Sequence, residues 1–127
     1  MRQPSELARR FLSLADRDIK VFHKLVNDPE IDDEAVGFHA QQAVEKCLKA
    51  ALAVHQIEFR KTHDLRALID LLGDHGLPQP PLLDAIKRLN PFAVVLRYDF
   101  IDLETLDRKQ AQEVVASVRR WAGEQVR

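Results

Sequence analysis

The chain has 127 residues, of which 46% are hydrophobic and 31% charged, with a net charge of −1. That size fits one domain burying roughly two-thirds of the surface its unfolded chain exposes, and the composition excludes a disordered chain. Near-neutral charge excludes a polyanion binder acting through a global field, and the single cysteine, Cys47, excludes an internal disulfide and a multi-cysteine zinc site.

The first helix is expected from about Ser5 to Val26, with Ser5 as N-cap and Leu7, Phe11, Ala15, Ile19, Phe22 and Val26 as its apolar stripe, widened by Leu14 and Leu25. Asn27-Asp28-Pro29 stops it. The second helix runs from about Asp33 to Val54 behind Asp32 as cap. Val36, Ala40, Ala43, Val44, Cys47, Ala51 and Val54 share one face, whose small residues let a neighbouring helix approach closely. The third starts at Thr62, buries Leu65, Leu68, Ile69 and Leu72, and ends at Gly73 and Gly76.

Leu77-Pro78-Gln79-Pro80-Pro81 is a stiff connector, and Pro81 suits the first turn of the next helix. The fourth helix carries Leu82, Leu83, Ile86 and Leu89 into Asn90-Pro91, where proline imposes a kink or a fresh start capped by Asn90. Phe92, Val95 and Leu96 continue the pattern up to Arg97-Tyr98-Asp99-Phe100. The last helix begins near Asp107, which has capping-box spacing to Gln110, and buries Ala111, Val114, Val115, Val118, Trp121 and Ala122. Five helices with short connections imply an all-α, up-and-down bundle in a single domain, 1–127. No stretch approaches the length of a membrane span and no signal-peptide core opens the chain, so a cytoplasmic setting without membrane contact is expected.

Three polar clusters stand out. His39, Gln42, Lys46 and Lys49 fall on one side of the second helix at about 100° per residue. They can donate to phosphate oxygens or base edges. They can equally form a solvated face, with Glu45 and Lys49 as a helix pair, or a surface buried against a second subunit. Arg60-Lys61-Thr62-His63-Asp64 is a basic loop feeding a helix start, suited to a phosphate or, with Thr62 as cap, to a plain helix beginning. Arg97 can clamp a phosphate or cap carbonyls, and Tyr98 can stack on a base or roof the core. Cys47 lies on the apolar face and reads as an inert core thiol. No paired-histidine metal spacing, glycine-rich phosphate loop or nucleophile elbow is present, and His39 and His63 have no carboxylate companion fixed by spacing, so no metal or cofactor is expected.

The segment Phe38-His39-Ala40-Gln41-Gln42-Ala43-Val44-Glu45-Lys46-Cys47-Leu48-Lys49-Ala50, followed by Lys61-Thr62-His63-Asp64-Leu65 and by Arg97-Tyr98, resembles the HEPN domain family, and the likeness runs over nearly the whole chain. The resemblance implies a dimeric helical bundle and a partner, a minimal nucleotidyltransferase, in a toxin–antitoxin-like two-component system. It also implies ribonuclease activity in many members. There, an Arg is followed roughly four to six residues later, between one and two helical turns, by a proton-transferring His near the end of the penultimate helix. Arg97 stands in that region, but no histidine follows His75. Loss of a proton-transfer group lowers rates by orders of magnitude. The expected function is therefore a binding and interaction module for a nucleotide or RNA, with His39, Gln42, Lys46, Lys61, His63, Arg97 and Tyr98 as ligand-binding candidates converging beside Arg97. The alternative is a divergent metal-independent endoribonuclease with Arg97 as clamp and His63 or His39 moving the proton.

Overall fold

The computed structural model describes residues 3–93 and 105–127. Among them are five α-helices, a short 3-10 turn and no strand: α1 (Pro4–Leu25), α2 (Asp33–Val54), α3 (Leu65–Asp74), α4 (Leu83–Leu89), the turn Asn90–Ala93 and α5 (Arg108–Val126). The expected helical bundle is the fold.

α2 is the hub and touches every other helix. Its alanines explain this: Ala40, Ala43, Ala50, Ala51 and Ala53 are all buried, so α1 and α5 come close on either side. Phe22 of α1, Leu48 and Leu52 of α2, Leu68 of α3, Ile86 of α4 and Val118 of α5 fill the shared core. Gly37 serves a close approach in the same way. A Cβ there would lie 2.3 Å from Cδ1 of Phe92, so the Phe92 ring rests directly on the α2 backbone.

Several boundaries differ from the sequence reading. Ser5 does not cap α1; Gln3 occupies the cap position and Pro4 opens the helix, its missing N–H costing nothing in the first turn. The buried stripe of α1 is Ala8, Leu12, Ala15 and Phe22, with Leu7, Phe11 and Ile19 half-buried at its flank, because α1 packs against both α2 and α5 and its inner face is rotated accordingly. Asp32 sits at the cap position of α2 without a side-chain hydrogen bond to it. Thr62 does not start α3. Asp64 caps it by accepting from the Arg66 N–H, while Thr62 Oγ1 accepts from the Asp64 N–H. Pro81 is not in α4; the helix opens at Leu83 after Leu82, which is exposed and adopts a left-handed φ of 59°.

α2 and α3 end alike. Ile57 N–H donates to Leu52 O at 3.0 Å around Gln56, whose φ is 60°, and Leu77 N–H donates to Leu72 O at 3.0 Å around Gly76, whose φ is 64°. Both are Schellman turns that send the chain back along the helix it has just left. Arg108 at the start of α5 closes the α1–α2 corner, donating to the carbonyls of Val26, Asp28 and Ile31 and to Asp33. Asp107 caps α5 by accepting from the Gln110 N–H at 3.0 Å.

Candidate ligand-binding site

Gln41, Glu45 and Lys49 stand one turn apart on α2, and Gln41 and Glu45 are buried. Buried amides and carboxylates require partners, and these come from the loop before α3. After the Schellman turn at Gln56, Phe59 packs on Phe11 of α1 with ring centroids 5.9 Å apart, and Lys49 Nζ lies 5.9 Å from the Phe59 ring centroid. The chain then brings His63 over α2. Gln41 Nε2 donates to the His63 backbone oxygen at 2.7 Å, and the His63 imidazole Nδ1 lies 2.8 Å from Glu45 Oε1. Lys49 Nζ donates to Glu45 Oε2 at 3.0 Å, which is the helix pair expected from the spacing. Gln42 Nε2 donates to Gln41 Oε1 at 2.7 Å and extends the chain of amides along α2.

The Glu45 side chain is 3% exposed and that of His63 is 67% exposed. A carboxylate paired with Lys49 only accepts, so Nδ1 of His63 is the donor and carries its proton toward Glu45. Nε2 makes no hydrogen bond among the described residues. Arg60 and Lys61, immediately upstream, are exposed and form no ion pair among the described residues. This edge of the molecule presents two cations and one imidazole, with Glu58 and Asp64 exposed in the same loop.

A second cluster joins α1 to α2. Asp18 accepts from His39 Nδ1 at 3.1 Å and from Lys46 Nζ. The polar stripe therefore divides. His39 and Lys46 turn to Asp18, while Gln42 and Lys49 join the Glu45 network, and none of the four forms a simple solvated face. A ligand contact by Lys46 or Gln42 would share these side chains with their internal partners. Arg97 and Tyr98 lie outside the described residues.

Asn90 links the chain after α4 to the same loop. Its Oδ1 accepts from the Leu65 N–H at 2.9 Å and its Nδ2 donates to Asp64 Oδ1 at 3.0 Å. It thus caps α3 rather than the helix it was expected to start. The Asn90 amide, ahead of all other causes, holds the Asp64 carboxyl below its ordinary value. Burial pushes the Cys47 thiol up to about 12, as expected for a core thiol. No group of three or more His, Cys, Asp or Glu side chains among the described residues could hold a metal ion.

The family model of the HEPN domain matches residues 8–124, nearly the whole chain. The chain belongs to the HEPN family. No curated protein and no solved structure matches it. The family is generally associated with nucleotides and RNA.

Within this HEPN chain the carboxylate companions of both histidines, Asp18 and Glu45, escaped the sequence reading, as did Gln41, and Asn90 was read only as a cap for the segment after it. Gln41 and Glu45 did leave a trace. They are an amide and an acid one turn apart on α2, a spacing that lets both side chains meet one partner.

Proposed function

We propose that this HEPN protein is a binding and interaction module that engages a phosphate-bearing ligand, a nucleotide or RNA, on the edge formed by Arg60, Lys61 and His63. One observation carries the reading: an exposed imidazole is anchored from below by a buried carboxylate, beside two exposed cations that form no ion pair among the described residues. Such a cluster can meet phosphate charge with Lys61 and Arg60 while His63 reads a neighbouring polar group. The family likeness supports a homodimer and a minimal nucleotidyltransferase as protein partner in a toxin–antitoxin-like pair. No helix among the described residues is long and apolar enough to cross a membrane.

Fluorescence anisotropy with labelled nucleotides and short RNA at low salt tests the ligand half, because phosphate contacts are strongest there. Wild-type binding that weakens in Lys61→Ala is the expected result; no binding at low salt would leave protein interaction alone. Light scattering of the purified chain, alone and mixed with a minimal nucleotidyltransferase, tests the assembly half.

The His63–Glu45 pair also favours a second reading, a divergent metal-independent endoribonuclease with His63 as proton-transfer group and Arg97 as clamp. A carboxylate behind an imidazole orients it for acid–base work. Cleavage lost in both His63→Ala and Arg97→Ala supports it; unchanged residual cleavage in both ends it.

A further inference from the structure

We propose that His63 selects ribose over deoxyribose at this site, with Glu45 as the residue that positions it. The inference rests on the binding reading above and adds the chemical group that the imidazole recognises.

One proton decides what the ring can recognise. Glu45 is buried and paired with Lys49, so its carboxylate offers only lone pairs. The nitrogen facing it, Nδ1 of His63, must donate. Gln41 holds the His63 backbone oxygen one helical turn away, so the residue is fixed at its main chain while the ring is oriented by its Nδ1 bond to Glu45. In the neutral imidazole the outward Nε2 is then an acceptor and nothing else. An acceptor does not pair with a phosphate oxygen, which is also an acceptor. It pairs with a donor. The nearest donors to a phosphate in a nucleotide or an RNA strand are ribose hydroxyls, and base amino groups lie further away across the sugar. Arg60 and Lys61, three and two residues upstream of His63 and both exposed, supply the complementary positive charge for the phosphate. The 2′-hydroxyl is the group by which a protein tells RNA from DNA.

The same chemistry is offered by a strand and by a free nucleotide, and two pairs of probes separate them. Labelled octauridylate is compared with octadeoxyuridylate, which has the same base, and ATP with 2′,3′-dideoxy-ATP. The wild-type chain should favour the hydroxyl-bearing probe in at least one pair by about fivefold, the scale of one neutral hydrogen bond. Lys61→Ala should weaken both members of a pair equally. The double variant Glu45→Leu with Lys49→Met removes the buried pair together, a replacement that buried ion pairs often tolerate, and its melting curve confirms folding. It should bind with the preference abolished. Two-bond nitrogen–proton NMR of the wild type should show the neutral His63 ring protonated on Nδ1.

Equal affinity for both members of each pair would overturn the ribose inference and leave phosphate binding standing. A neutral ring protonated on Nε2 would overturn it whatever the affinities. Full preference in the folded double variant would remove Glu45 from the account. Failure of every probe to bind would overturn the binding reading itself, and is recognisable as such because the tautomer is read without ligand.

Discussion

Gln41, in the middle of α2, donates to the backbone oxygen of His63 at 2.7 Å while its own side-chain oxygen accepts from Gln42 at 2.7 Å. One buried amide therefore fixes the height of the loop above α2 and satisfies a second buried amide beside it. Gln41→Leu strands a donor on Gln42 and an acceptor on His63. Urea denaturation should show a loss of about 1–3 kcal/mol, the cost of unsatisfied buried groups. Amide exchange should accelerate in residues 60–64 before the rest of the bundle.

Gly37 is set against two opposing effects. Replacing a helical glycine by alanine gains about 1 kcal/mol of propensity. Here the added Cβ would sit 2.3 Å from Phe92 Cδ1 and 2.5 Å from Cγ, and overpacking of that kind costs about 1–3 kcal/mol. Gly37→Ala should therefore be neutral to destabilising by about 2 kcal/mol, never stabilising. Phe92→Leu in the same chain should recover part of any loss, and thermal melts of the two variants decide it.

Arg108 holds three carbonyls at the α1–α2 corner and pairs with Asp33, which also accepts from the Leu106 N–H at 3.2 Å. Arg108→Ala should cost about 2–4 kcal/mol, since several charge-assisted bonds go at once. Arg108→Lys should rescue little of this, because a single ammonium cannot reach the same fork of acceptors. Guanidinium melts of both variants test the difference.

The depressed Asp64 carboxyl gives a pH dependence of known sign. Its folded value lies below the ordinary 3.8, so its contribution is present above that pH and is lost as pH falls through the folded value. Asn90→Ala removes the largest cause. In that variant the Asp64 carboxyl, followed by carbon-detected NMR titration, should move back up toward its ordinary value, and stability, lower at neutral pH, should fall less as the pH drops below 3.8.

Cys47 is buried and its thiol is raised to about 12. Native protein at pH 8 should react with Ellman's reagent only as fast as the bundle opens, and denaturant should raise the rate in step with unfolding. Rapid labelling of the native chain would place Cys47 at the surface.

The bundle was readable because its signals are local. The period of α2 gave Asp33 and Val54, and the Asp107–Gln110 spacing gave the start of α5. Local rules failed where a distant residue intervened. Thr62 yielded the start of α3 to Asp64 because Asn90 arrives to bond both Asp64 and Leu65. Leu82, counted as core, became the exposed left-handed residue before α4. The candidate site fared the same way. His39 and His63 were visible as polar residues, but Asp18 and Glu45 meet them only after α1 and the loop fold over α2, and no helical wheel spans that separation. Helical spacing also drew one stripe where the fold makes two networks.

Phe92 rests on Gly37, and Leu106 and Arg108 fasten to Asp33, a single turn away on the same helix. Phe92 and Leu106 are thus held at neighbouring rungs of α2, about 6 Å apart along the axis. A substitution at Gly37 or Asp33 therefore reaches two parts of the chain far apart in sequence through a single turn of one helix.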